Sequence, residues 1–317
     1  MSLSFLTPVA ALATLAGLLP LAVHLRRERR ARTVRAALRL PAPVPASDRT
    51  LLAALVAIPL LTGLAAAQPV LDRAEARQER TDAEIVFVFD TSRSMYASAG
   101  VREPTRFDRA RRIANEVRAA VPQVRAGVAS LTDRTLPHLF PTVDGSTFRS
   151  TLARSIAIER PPPSSYARLA TDLNALTAVG RQSYFSPGTA KRVLVVLTDG
   201  ESEKVRVGLP VALRRAGIRT ILVHVWRPRE AIFLTARAER EYRPDPSSRE
   251  TVRQFAAAVA GAAFSEDELS AAVERARTEI GSGPTRPRAQ RDLLALMPYA
   301  TLAAAFPLAL VLRRRNL

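Results

Sequence analysis

Asp90, Ser92 and Ser94 alternate along the run Asp90-Thr91-Ser92-Arg93-Ser94. The run follows Glu84-Ile85-Val86-Phe87-Val88-Phe89, which is apolar at every position after the first. A strand apolar on both faces belongs inside a parallel sheet covered on each side by helices. One carboxylate and two hydroxyls then stand at the sheet's carboxyl edge, where open α/β sheets bind ligands. Hard oxygen ligands of this kind suit a divalent cation. The same residues could instead begin a helix, because Asp and Ser are good N-caps.

A second apolar run, Arg192-Val193-Leu194-Val195-Val196-Leu197, ends in Thr198-Asp199-Gly200-Glu201 and repeats the strand-then-carboxylate pattern. Between the two lies Ala170-Thr171-Asp172-Leu173-Asn174-Ala175-Leu176, a hydroxyl at the start of an amphipathic stretch. Two central strands and one loop can therefore bring Asp90, Ser92, Ser94, Thr171 and Asp199 together. An all-oxygen set selects Mg²⁺, Mn²⁺ or Ca²⁺ over softer metals. The sequence has no cysteine, which excludes thiolate sites and disulfides, and its three histidines (His24, His138, His224) show no metal-ligand spacing. His224 lies in an apolar run and reads as a core residue.

This constellation resembles the metal-ion-dependent adhesion site of von Willebrand factor type A domains, with Asp-x-Ser-x-Ser after the first strand, a Thr in a middle loop and an Asp after the fourth strand. The resemblance covers residues 83–280 and implies a doubly wound, mostly parallel sheet of Rossmann-like type. It implies that Ser92, Ser94 and Thr171 contact the ion directly or nearly so. Asp90 and Asp199 would act through water, and Mg²⁺ would be the leading candidate ion. An open coordination position would take an acidic residue of a protein partner. The stretch before Thr171 lacks the Gly found in many relatives, and Asp172 is an alternative ligand there.

The rest of the chain reads as membrane-embedded. Residues 1–23, 50–71 and 293–312 carry no charged side chain. About 20 residues of helix span the ~30 Å hydrocarbon core of a bilayer. The first run is no signal peptide in pattern, since its positive charges follow it. The expectation is three transmembrane helices, over 1–25, 50–71 and 292–312. A connector 26–49, a linker 281–291 and a tail 313–317 complete the chain. The connector holds eight arginines against Glu28 and Asp48. By the positive-inside rule it stays cytoplasmic, which explains its charge without nucleic acid. The metal domain then faces outward from a bacterial inner membrane. Net charge is +18 overall, so the outward domain is basic as well.

This order of helices around an A-type domain resembles bacterial membrane proteins of the aerotolerance-associated Bat type, as do Phe5-Leu6-Thr7-Pro8 and Leu19-Pro20-Leu21 with His24-Leu25-Arg26-Arg27. The resemblance implies association with a MoxR-type AAA+ ATPase, which from the cytosol would reach only the connector or the tail.

Within the domain the periodicity predicts helices over 106–120, 148–158, 171–179, 207–216, 250–260 and 265–280. It predicts strands over 84–89, 124–131, 136–140, 191–197 and 219–226, and a loop over 227–248. A metal-bridged binding module is the leading function. The alternatives are a structural membrane subunit whose domain binds no ion, and a metal-dependent hydrolase. No His or Glu stands near the motifs as a general base, and no second carboxylate cluster suggests a two-metal centre, so the reading is non-enzymatic.

Overall fold

The computed structural model describes residues 2–39, 46–160, 162, 171–202, 206–233 and 237–315. It comprises two compact units, Arg77–Arg288 and the terminal segments Met1–Ala76 with Ala289–Leu317.

The first unit is a three-layer α/β structure. Its strands are β1 (Ala83–Asp90), β2 (Arg125–Leu131), β3 (Thr135–Thr142), β4 (Lys191–Thr198), β5 (Ile218–His224) and β6 (Ala262–Ser265). They form one sheet in the order β6-β5-β4-β1-β2-β3, parallel except for the antiparallel edge strand β3. The helices are α1 (Arg106–Ala120), α2 (Gly145–Arg154), α3 (Thr177–Arg181), α4 (Gly208–Arg215), α5 (Ser248–Ala258) and α6 (Leu269–Ile280).

The central strand explains the layering. Ile85, Phe87 and Phe89 enter one apolar core with Phe107, Ile113, Phe148 and Ile280. Val86 and Val88 enter the other with Leu173, Leu213, Val252 and Phe255. Alternate side chains therefore serve opposite faces, and the positions from Ile85 to Phe89 are all apolar. Charge is confined to Glu84 and Asp90, on either side of them.

Several elements differ from expectation, each for a local reason. Helix 148–158 forms instead over Gly145–Arg154, because the Asp144 side chain accepts from Ser146 N and starts it earlier. The helix expected over 171–179 is a 3-10 turn, Leu173–Leu176, followed by α3. Asp172 caps that turn through Asn174 N and Nδ2, at 2.9 and 2.7 Å. Ala262–Ser265 is edge strand β6, an element the sequence reading lacks; it fills the gap between the two expected helices and takes Ser265 from the start of the second. The capping box of Ser265 and Glu268 is present but opens a 3-10 turn, Glu266–Glu268, before α6. The 227–248 stretch is not wholly loop, because Ala231–Ile232 pairs antiparallel with Ala97–Ser98. The 281–291 linker is largely strand, within Thr285–Ala295.

In the second unit Ser2–Phe5 pairs antiparallel with Pro69–Asp72, and Pro8–Gly17 is 3-10 helix leading into the α-helix Leu18–Ala37. The expected connector is thus helical as far as Ala37; residues 40–45 of it lie outside the described residues. Two further helices run over Ala46–Ala66 and Met297–Arg315. Among the described residues one helical segment, Pro8–Ala37, is long and apolar enough to cross a membrane. The three expected spans are therefore reduced to one by this measure. The other two lose residues to neighbouring strands, leaving apolar helices Leu52–Ala66 and Met297–Arg313.

Phe87 tests the double-faced core. It is fully buried and meets Phe148 edge to face, with ring centroids 5.2 Å apart. Phe87→Ala is expected to destabilise the unit by about 3–5 kcal/mol. Urea unfolding followed by fluorescence of Trp226, the sequence's only tryptophan, measures it. A loss below about 1 kcal/mol would contradict this packing.

Candidate metal site

The loop after β1 is fixed at Thr91 and Met95. Thr91, Ser92 and Met95 are buried, and Ser94 is half-buried. Thr91 N and Oγ1 both donate to Leu131 O, at 2.8 and 3.2 Å. Met95 enters the apolar core at the start of a short 3-10 turn, Arg93–Tyr96. With these two residues anchored, Ser92 N donates to Asp90 Oδ1 at 2.9 Å, and the Ser92 and Ser94 hydroxyls share a hydrogen bond of 3.0 Å.

Thr171 arrives from the far side of the sheet. Its chain position is set by a bridge to Ser202 and by Asp172 N donating to Thr132 O at 2.9 Å. Its hydroxyl reaches both Asp90 oxygens, at 2.9 and 3.0 Å. Four of the five residues singled out in sequence, Asp90, Ser92, Ser94 and Thr171, are thus linked by hydrogen bonds. Asp172, the alternative at the Thr171 position, is occupied with its own cap.

Asp199 joins them by charge. It lies at the end of β4 beside Asp90, in a turn that requires Gly200. Gly200 has φ +75°, and a Cβ there would come within 2.7 Å of Ser248 O. The Asp199 carboxylate accepts from Glu201 N at 3.1 Å and from Arg106 Nη1 at 2.8 Å. His224, expected as a satisfied core residue, is buried, and its Nε2 lies 2.9 Å from Asp199 O. Burial holds its pKa down, which suits the neutral ring.

Two neighbours escaped the sequence reading. Thr198 donates to Asp90 Oδ2 at 2.6 Å; it is the residue next to Asp199, hidden as the last member of an apolar strand. Arg106 is the other. It is fully buried and reaches Glu201 at 3.0 Å, Glu230 at 2.7 Å and Tyr242 at 2.8 Å besides Asp199. Its spacing to Ala110, Ile113 and Val117 places an arginine on the apolar face of α1, which is the signal that could have revealed it.

Arg106 heads a chain of buried ion pairs. Glu230 continues to Arg109 at 2.5 Å, Arg109 to Glu266 at 2.7 Å, and Glu266 to Arg227 at 2.9 Å. The ion pairs join Asp199, Glu201, Glu230, Glu266 and Asp267 to three guanidiniums, Arg106, Arg109 and Arg227. Asp90 stands beside this group, and no ion pair reaches it among the described residues. The site responds at Asp90, where burial and then the Asp199 charge push the carboxyl up to about 7, against hydrogen bonds from Thr198 and Ser92. Glu201 is likewise raised by burial and by Asp199.

The donors fit a hard divalent cation: hydroxyl oxygens gathered around a buried carboxylate, with a second carboxylate beside it. Among the described residues no three His, Cys, Asp or Glu side chains form a metal-binding group. Any ion here therefore depends on the hydroxyls of Ser92, Ser94 and Thr171 as well as on the two aspartates.

The ion-pair chain makes a stability prediction. Arg106→Leu leaves Asp199, Glu201 and Glu230 facing one another without their shared cation. Breaking a buried pair in this way costs about 3–5 kcal/mol. Urea unfolding should show that loss, and a wild-type midpoint for Arg106→Leu would refute the role.

Residues 85–201 match the family model of the von Willebrand factor type A domain. No curated protein matches the chain. In fold it is similar to the crystal structure of a conserved hypothetical protein BatB from Bacteroides thetaiotaomicron. The TM-score is 0.53 at 18% identity, over 63% of this chain and 100% of that one. It is similar too to an aerotolerance-related membrane protein from Bacteroides fragilis, with TM-score 0.51 at 19% identity over 62% of this chain and 98% of that one. From β1 to the Asp199 turn the chain thus matches the von Willebrand factor type A domain, on a fold that it shares with Bat-type, aerotolerance-related proteins.

Proposed function

We propose that this protein is a membrane-associated, non-enzymatic binding module. Asp90, Ser92, Ser94, Thr171 and Asp199 hold a divalent cation, Mg²⁺ first, and a carboxylate of a protein partner completes its coordination. The observation that carries the reading is a converged oxygen set around Asp90, a fully buried carboxylate with no cation paired to it among the described residues. A bound dication would favour its ionised form and supply the Lewis-acid position for the partner's acid. Ser94, half-buried at the rim, is the member best placed to meet a partner. Arg106 holds Asp199 by one oxygen and so fixes the carboxylate without removing it from the site.

Membrane association is supported by the terminal unit. Val9, Leu12 and Leu19 are exposed, as are Leu60, Tyr299, Leu302 and Phe306. Apolar surface on this scale suits lipid. A multi-pass chain with the A-type domain outside a bacterial inner membrane remains the proposed topology, with the arginines of residues 26–35 and the tail inside. A MoxR-type AAA+ ATPase is proposed on resemblance alone, and in this topology it meets those arginines, not the metal mouth. The competing reading, a structural subunit whose domain binds no ion, is separated by the first test below.

Titration calorimetry with Mg²⁺ and Mn²⁺ on the full chain in detergent should show one site. Ser94→Ala is expected to weaken it about tenfold or more, the loss of one ligand's interaction. Its unfolding midpoint should stay near wild type, since Ser94 is not a core residue. Absence of binding to the wild type would favour the structural subunit. A periplasm-active reporter fused after residue 75 should be active, and a cytoplasm-active one silent.

A further inference from the structure

We propose that Arg93 selects the partner's carboxylate and that Glu239 is its resident stand-in, a latch that an incoming acid must displace. The inference deepens the binding role above and rests on it.

Arg93 lies between the two site serines, and its Nη2 contacts both Glu239 oxygens, at 2.9 and 3.1 Å. The two residues come from segments 146 positions apart. Glu239 is held there by its own backbone. Its N–H donates to Ile232 O at 2.9 Å, and Ile232 is paired with Ala97, just beyond the metal loop. Further along, Tyr242 and Asp245 N anchor on Glu201 at 2.8 and 3.2 Å. The segment is thus fastened on both sides of Glu239, at the rim of the metal site.

Arg93 and Glu239 line one open cavity of about 330 Å³ together with Ser94 and Glu241. Arg93 is the one cation among its described lining residues. A carboxylate arriving at Ser94 therefore meets Arg93 on the same wall. The chain's own Glu239 shows what this guanidinium accepts. Both members of the pair keep partial exposure, 39% and 27% of their side chains. Exchange of one carboxylate for another is thus inexpensive: a solvent-exposed pair is worth about 0.2–1 kcal/mol. Solvent can receive the released Glu239, whereas a neutral amide or hydroxyl ligand would give Arg93 no charge partner to justify the exchange.

The test uses the full chain in detergent with Mn²⁺ bound and glutarate as the carboxylate probe. Displacement of metal-bound water is read by water-proton relaxation. Glu239→Gln is expected to tighten glutarate about two- to fivefold, the release of a competing exposed pair. In an Arg93→Gln background the same substitution should change nothing, and glutarate should bind more weakly than to wild type. Glu241→Gln removes an equal charge from the same cavity without touching Arg93, and should give a smaller gain than Glu239→Gln. A Glu239→Gln variant indistinguishable from wild type overturns the latch, as does a gain that persists without Arg93 or is matched by Glu241→Gln. If wild type binds no Mn²⁺, the metal reading fails and the latch with it; if Mn²⁺ binds and the Glu239 arm fails, the latch alone is lost.

Discussion

A carboxylate shut away from water sets the terms for this domain. Asp90 is wholly buried and survives there because Ser92 N, Thr171 and Thr198 all donate to it. A buried charge without such bonds is costly enough that the group would rather be neutral. Each donor comes from a different element, so satisfying one side chain fixes the ends of β1 and β4 and the loop between them. Arg106 does the same for Asp199, and in doing so ties the opening of α1 to segments more than a hundred residues away. The site and the fold are consequently the same set of constraints at this edge of the sheet.

Charge accounting links this local picture to function. Buried ion pairs seldom add stability over apolar packing, because desolvation offsets the attraction. Their retention here in a chain of three arginines and their carboxylate partners fits a different purpose: holding Asp199, Glu230 and the 227–247 segment in fixed relation to the metal loop. Beside that chain stands Asp90, buried and met by the hydroxyls of Thr171 and Thr198.

The legible part of this architecture was the part governed by periodicity. Strands buried on both faces announce themselves as uninterrupted apolar runs, and α1, with its Thr105–Asp108 capping box, was placed to the residue. All five oxygen residues were visible because each follows such a run or opens an amphipathic stretch. What was hidden depends on distance. Glu230 looks like a surface residue in sequence, and only tertiary contact reveals its burial, while Arg106 shows itself only by its place on the apolar face of α1. Strand β6 has four residues, too few to show a pattern next to a strong capping signal. The membrane segments show the opposite error: apolar length suggested three equal spans, while β-pairing at Pro69–Asp72 and strand up to Ala295 claimed their ends.

The oxygens around Asp90 are joined across sequence gaps of 81 residues, for Thr171 with Asp90, and 108, for Thr198 with Asp90. Contacts so remote close late, after the central strands have found their neighbours. An ion therefore has nothing to bind in the unfolded chain and a complete site only in the finished one. By mass action it then acts as a selective stabiliser of the native state. On the proposed reading, cation uptake would mark the end of folding for this domain, and the surrounding concentration of free cation would set how firmly that end state is held.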